Sequence, residues 1–495
     1  MVEKIAIIEL NENALKLTIY KVEGAKNSIV LTQSQPFALG KEIEVAELLS
    51  PQTKNDILNI LKVYRKMIEA YGVSKIIAVS SNILVKARNY RGFIDEIYNN
   101  TAINLIIMND EDQIKYLFNS VVNSIDSPKG VFIYVGNYNS YVVKYNRRAI
   151  LSSVVLPFGS YNSVDEQGDL DASLKNIKKK INFKDIVGDS EDEINYVGAG
   201  NAFLSLGKIH KKIARYPLDI DNNYVVTKEG LDATYNFIKG LELDKIRKIK
   251  GVSYDDADKI AGGLVAIKAI YEALNAQEVC ITDANIRNGV FFQNVVLNCQ
   301  ERFSDLLTNS LENYYEFNKT EFSVNDLVYN MAIILFKQLK VMHKLPRYYV
   351  KPLRIASFMF DSGKSINSED YIKHGFNKIL YSGINGVSHR ELLLAGFICT
   401  CQDLDEFSLN EWIKYKDILT EEDLDAVRKL GVIVKLAVAL NASHKPIVQD
   451  IVCDILGESI IMKTVVEGDA SYEILEGMKV AQDYRKVYKK SLQII

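Results

Sequence analysis

No apolar run in this sequence reaches the roughly 18–20 residues that a helix needs to cross a bilayer. Residues 1–5, MVEKI, bring no basic segment leading into an apolar core. These absences argue against a membrane span and a secretory signal, so a cytoplasmic protein is expected. Cysteine is scarce: Cys280, Cys299, Cys399, Cys401 and Cys453 are odd in number and form no CxxC pair. No disulfide framework reads from such a set, which leaves buried thiols, or a Cys399/Cys401 pair serving a metal or redox chemistry. An excess of one charge is missing too. The 60 Lys and Arg stand against 63 Asp and Glu, for a net charge of −3. That balance leaves no electrostatic footprint for a nucleic acid, and neither a nucleic acid nor a membrane is expected as a partner.

What is present is length and alternation. At 495 residues the chain exceeds what one core supports, and two to four domains with room for a deep cleft between them are expected. Residues 130–143, GVFIYVGNYNSYVV, read as a hairpin: Val131, Phe132, Ile133 and Val135 form an apolar run, Gly136 to Ser140 a polar tip, and Tyr141 restarts a strand. A similar start occurs at residues 5–20, IAIIELNENALKLTIY, and a third small-residue turn stands at Gly198-Ala199-Gly200-Asn201. Each tip alone reads equally well as an ordinary hairpin. Together, two tips and a glycine turn are what a phosphate cleft between two α/β lobes needs, because short side chains let backbone N–H groups face an anion. Between them, Ser50-Pro51 opens a helix whose apolar stripe of Ile57, Leu61, Tyr64 and Ile68 runs to Gly72.

These motifs, taken in order, resemble the Ppx/GppA family of exopolyphosphatases and guanosine pentaphosphate phosphohydrolases. The resemblance implies an α/β fold of two actin-like (ribonuclease H-like) ATPase-superfamily lobes, residues 1–126 and 127–300, followed by an all-α HD-like domain, residues 301–495. The family's second phosphate loop, D-I-G-G-G-S-T-E, corresponds to residues 134–141, Tyr-Val-Gly-Asn-Tyr-Asn-Ser-Tyr. On that frame Asn13, Gly136, Asn137, Asn139, Ser140, Gly198, Gly200 and Asn201 are the expected phosphate-binding residues. Glu9, at the first loop, is the expected metal ligand.

The departures are chemical. Tyr134 and Tyr141 stand where the family has carboxylates, and Tyr138 stands on a glycine, so either its backbone takes a glycine-like angle or the loop changes shape. Val85 replaces an arginine suited to phosphate; Lys86 and Arg88 lie nearby but project differently from a helix. The family's general base falls on Gln113, with Asp112 one step earlier. An amide cannot take a proton near neutral pH, a loss worth roughly 10²–10⁴ in rate. Asp110, Glu111 and Asp112 read equally as an acidic first helical turn. Further along, residues 250–263 keep Ala257, Asp258, Gly262 and Gly263 of the family pattern. Asp283, Arg287 and Gly289 are likewise retained, with Asp283 and Arg287 expected to cap and pair at the end of a buried strand.

In the C-terminal third, residues 353–366 resemble the helix end of an HD domain, but Phe360 replaces the motif histidine. No histidine stands between His210 and His343, so Asp361 and His374 make a poor metal set. The resemblance therefore implies a homologue whose catalytic machinery is degraded, kept to bind polyphosphate or a guanosine nucleotide (pppGpp) in a regulatory role. The alternatives are an active phosphatase using Mg2+ with Asp112, Glu9 and Glu12, and a structural homodimer or partner subunit. A homodimer is expected; Mg2+ is expected if the protein is active and no cofactor otherwise.

Overall fold

The first three strands form an antiparallel meander: β1 (Glu3–Leu10), β2 (Ala14–Glu23) and β3 (Lys26–Pro36). The first strand is apolar on both faces for a reason visible in its alternation. Ile5 and Ile7 enter one core, while Ala6, Ile8 and Leu10 enter another. The structure, a computed structural model, describes residues 2–24, 26–165, 168–183, 194–252, 256–296, 305–318 and 322–495. Residues 253–255 of the 250–263 segment and the expected domain boundary at 300/301 lie outside the described residues.

After α1 (Leu39–Ala46), the helix read from Ser50-Pro51 is α2 (Pro51–Ala70). Ser50 accepts the Thr53 N–H, and Ile57, Leu61, Tyr64 and Ile68 are buried. Then follow β4 (Lys75–Ser80), α3 (Tyr90–Thr101), β5 (Leu105–Ile107) and α4 (Asp110–Val122). The strands order as β3-β2-β1-β4-β5, with β4 and β5 parallel to β1.

The second lobe repeats this plan. β6 (Lys129–Val135), β7 (Ser140–Asn146) and β8 (Ala149–Leu156) make another meander. After α5 (Leu170–Lys178) come β9 (Asn195–Ala199), α6 (Asn201–Ile213), β10 (Tyr224–Thr227), α7 (Lys228–Lys239), α8 (Leu243–Ile246), α9 (Ala257–Ala273), β11 (Glu278–Ile281) and α10 (Ile286–Phe291). The sheet order β10-β11-β9-β6-β7-β8 is the first sheet's order with one antiparallel strand added at the edge. The expected α/β fold of two similar lobes is what the chain adopts.

A separate apolar core lies between the two sheets. Ile5, Ile7 and Val79 from one side and Phe132, Tyr141, Val143 and Val197 from the other enclose Ile114, Leu117 and Phe118 of α4 with Val290 and Phe291 of α10. The two helices cross so closely that a Cβ on Gly289 would stand 1.7 Å from the Tyr116 carbonyl oxygen. Only glycine permits that approach. Asn288 accepts from Tyr20 Oη at 2.9 Å, and the Asn285 N–H reaches Ser120 Oγ at 3.1 Å. The start of α10 is thus pinned between the lobes.

Residues 2–306 form one compact unit and Leu307–Ile495 a second. The second unit corrects the all-α expectation. Its helices, among them Val350–Phe358, His389–Thr400 and Glu421–Ala439, pack on one another, but the chain then forms β12 (Val448–Leu456), β13 (Ser459–Val466) and β14 (Ser491–Ile494). β12 and β13 are an antiparallel pair, with β14 parallel to β13. Alternation along residues 448–466 carries the strand signal, with Ile451, Ile460 and Met462 buried and Val452 and Val465 exposed. Asp423, fully buried, is held by Tyr349 Oη at 2.7 Å and Arg390 Nη2 at 2.8 Å. Cys399 and Cys401 are free, buried thiols, and burial pushes Cys399 up to about 12.

Candidate functional site

A cleft of about 1040 Å³ opens in the first unit where the β1–β2 tip, the β6–β7 tip and the starts of α4, α6 and α10 converge. The first tip is closed by its own side chain. Asn11 Oδ1 accepts the backbone N–H groups of Asn13 at 3.0 Å and Ala14 at 2.9 Å, as in an Asx turn. The two tips are then tied together across the cleft: Asn13 Nδ2 donates to Asn137 Oδ1 at 2.8 Å, and Asn137 Nδ2 to Glu12 Oε2 at 3.2 Å. In the second tip the Gly136 N–H is taken by the Asn139 carbonyl at 3.0 Å. Donors that face an anion in a phosphate loop are here met from within.

Glu9 lies at the end of β1 on the cleft floor. Its Oε2 accepts from Arg287 Nη1 at 2.6 Å and its Oε1 from Asn11 Nδ2 at 3.0 Å. Lys16 faces it directly across the hairpin in the β1–β2 register. Burial alone would raise the Glu9 carboxyl, but Arg287 and Lys16, with the Asn11 hydrogen bond, hold it below its ordinary value. Both carboxylate oxygens are therefore committed to protein donors. Arg287, expected to pair at the end of a buried strand, does so with Glu9 at the end of β1, 278 positions away in sequence. The cap of α10 is Asn285, which accepts the Asn288 N–H. Asp283 lines the cleft, and desolvation raises its carboxyl above the ordinary value.

Helix α4 begins at the opposite wall. Asn109 and Asp112 form its capping box, Asn109 Oδ1 accepting the Asp112 N–H at 2.8 Å and Asp112 Oδ2 accepting the Asn109 N–H at 3.2 Å. Asp112 is spent on the helix and does not line the cleft, whereas Gln113 does, 5% exposed and with Nε2 lacking a partner. Asp110 accepts from Tyr141 Oη at 2.9 Å and Asn82 Nδ2 at 2.8 Å. Tyr134 stacks on Tyr141, ring centroids 5.7 Å apart, and burial raises both phenols well above their ordinary value. Two phenols thus stand where the resembled loop carries carboxylates.

Tyr138 has no left-handed backbone, so the loop has changed shape around it. Its ring leans on Tyr161 at 5.4 Å, with Lys86 Nζ 5.8 Å from its centre. Lys86 is further held by Glu44, and Lys259 by Asp256 at 2.8 Å. Val85 lines the cleft, half exposed. Gly200, with φ 96°, caps α6 without a side chain, and a Cβ there would lie 2.9 Å from the Tyr134 ring. The first turn of α6 therefore faces the cleft with no side-chain cap.

Of the expected residues, Glu9, Asn13, Gly136, Asn137, Asn139, Gly200, Asn201 and Gln113 line one cleft. Ser140 does not: it is fully buried in β7, its hydroxyl donating to the Phe158 carbonyl at 2.7 Å. Gly198 does not either, because it lies inside β9 against the Phe203 ring. Sequence reasoning passed over Lys16, Asn11 and Asp110 as members of the site. Counting back along the first hairpin from its tip places Lys16 opposite Glu9; nothing local signals the long-range Arg287 contact. Among the described residues no group of three His, Cys, Asp or Glu side chains is placed to hold a metal ion, in either unit.

The family model for the Ppx/GppA phosphatase family matches residues 18–297. A bifunctional 3-dehydroquinate synthase/phosphatase of Fusobacterium nucleatum is 22% identical over 311 residues, 59% of this chain, and the chain spans just under half (46%) of that relative. Among solved structures, the Aquifex aeolicus member of the Ppx/GppA family is 18% identical, with a TM-score of 0.53 over 61% of this chain and 100% of its own. An exopolyphosphatase from Cytophaga hutchinsonii is 14% identical, with a TM-score of 0.52 over 61% of this chain and 100% of its own. Both share its fold.

Proposed function

This chain belongs to the Ppx/GppA phosphatase family, and on that premise we propose that it keeps the family's phosphate cleft as a binding site while having lost metal-assisted hydrolysis, so that it acts as a phosphate- or nucleotide-responsive regulatory protein. Family membership supports a phosphatase-type function in general; the loss of turnover rests on side chains. The observation that carries it is the ion pair of Arg287 Nη1 with Glu9 Oε2, 2.6 Å long and largely buried. Hydrolysis of a phosphoanhydride on this architecture needs a held divalent ion and a group to take a proton from water.

The donors do not fit Mg2+. A hard cation wants several carboxylate or water oxygens, but Glu9 is neutralised by a guanidinium and Asp110 is engaged by a phenol and an amide. Glu12 accepts from Asn137. At the position from which a base would act stands the amide of Gln113, and the nearest carboxylate in sequence, Asp112, is held in a helix cap. What remains can bind: the uncapped first turn of α6, Arg287, Lys16, the Gln113 amide and Asn139 at the second tip.

Phosphate release from long-chain polyphosphate and from guanosine pentaphosphate, with Mg2+ or Mn2+, tests this. Release at background, alongside calorimetric binding of either compound, is the expected result. Efficient turnover that disappears in Asp112→Asn would overturn it.

A further inference from the structure

Resting on that reading, we infer that the cleft takes a phosphate chain as the bare anion, without a divalent ion, through Arg287, Lys16, the Gln113 amide and the first turn of α6. The charge on the floor is the starting point. There Glu9 faces two cationic groups, Arg287 and Lys16, while the lining as a whole carries five acids and four cations, so an anion would be drawn by this local pair and not by the net charge of the cleft. The guanidinium has five N–H donors in a planar fork, and among the described residues it spends Nη1 on Glu9. Lys16 lines the cleft with no ion pair of its own among them. Two cationic groups therefore keep donors that only a ligand or water can satisfy.

Gln113 adds an independent sign. Its Nε2 is buried without a hydrogen-bond partner, an arrangement that costs stability unless an acceptor arrives. A carboxylate at this position would repel a phosphate chain; an amide donates to it. The start of α6, thirteen residues long and capped only by Gly200, offers its N–H groups on the same cleft. The remaining acids of the lining are met within the protein: Glu12 by Asn137, Asp110 by Tyr141 and Asn82, Asp256 by Lys259. Asp283 sits where desolvation already disfavours its charge. A divalent ion riding on the phosphate would compete with Arg287 and Lys16 for its oxygens and would cancel the charge that they attract.

The experiment is calorimetric titration of the full chain with sodium tripolyphosphate and, separately, guanosine triphosphate, each in EDTA and in excess Mg2+. Binding in EDTA that weakens on adding Mg2+ is expected, and the tighter of the two compounds identifies whether a free chain or a nucleotide supplies the phosphates. The isosteric Gln113→Glu should weaken binding in EDTA by about tenfold or more; Lys16→Gln, which removes a cation without disturbing the Glu9 pair, should weaken it as well. Binding that appears only with Mg2+ overturns the inference and leaves the phosphate-binding reading standing. No binding under either condition overturns that reading itself.

Discussion

Replacing Arg287 by Gln tests the central ion pair through stability, independently of any ligand. The pair is largely buried, with the side chains 14% and 7% exposed. Removing one partner of a buried pair leaves the other as an uncompensated charge, at a cost of about 3–5 kcal/mol. Lys16 and Asn11 remain beside Glu9, so the low end, about 3 kcal/mol near neutral pH, is the expected loss. The pH dependence has a definite sign. In the native protein the Glu9 carboxyl lies below its reference value of 4.5. The pair therefore contributes stability above that value, and the contribution fades as pH falls through the folded value. In Arg287→Gln only Lys16 and Asn11 oppose the desolvation, so the carboxyl rises from its native value, and the penalty is present at neutral pH and shrinks on acidification. Each pH unit below the raised value returns about 1.4 kcal/mol.

Urea unfolding followed by far-UV circular dichroism at neutral and mildly acidic pH measures this. The sole tryptophan, Trp412, lies in the second unit, so its fluorescence reports that unit while circular dichroism reports both. Arg287→Gln should move a transition seen by circular dichroism and leave the tryptophan transition in place. Glu9→Gln/Arg287→Gln should recover most of the loss, since replacing both partners removes the stranded charge. If the double variant is as unstable as the single one, or if acid deepens the defect, the charge argument is wrong and packing alone is responsible.

Two further substitutions probe how the cleft is held. Gly289→Ala should cost at least 1–3 kcal/mol, read as a fall in melting temperature, because its Cβ meets the Tyr116 carbonyl at 1.7 Å and α10 must lift from α4. Tyr141→Phe should cost about 1 kcal/mol in urea unfolding, a modest figure because Asn82 still serves Asp110.

The lobes were legible because their signals are local. Alternation in residues 5–20 and 130–143, the Ser50-Pro51 helix start and the Gly200 turn each declare an element without reference to the rest of the chain. The Gln113 position was legible through the family resemblance, and the acidic run before it suits the first helical turn that it forms. Ser140 and Gly198 read as ligands because small residues at a tip suit a phosphate equally when they face it and when they are packed behind it. Choosing between those requires the strand register, which sends the Ser140 side chain toward Phe158. Arg287 was legible as a residue but not as a partner, since its target is set by how the two sheets close on α10. In the C-terminal unit, strong helical spacing before residue 440 masked the strands after it, although β12 and β13 alternate over nine and eight residues.

Family resemblance and side-chain geometry meet at one physical point. A cleft that depended on a metal and an anion for its shape would carry unpaired carboxylates and open N–H groups when empty, each costly to keep buried. Here the corresponding groups are satisfied by the chain: Asn11 Oδ1 sits on the N–H groups of Asn13 and Ala14, Arg287 sits on Glu9, and Tyr141 sits on Asp110. Gln113 Nε2 and the first turn of α6 are the exceptions on the same cleft. On the proposed reading the same replacements take away a coordinated cation and a proton acceptor and leave cationic and amide donors behind. On that reading internal satisfaction and anion binding go together: the Glu9 and Asp110 carboxylates accept from within the chain, while Lys16, the Gln113 amide and the first turn of α6 keep donors for a phosphate.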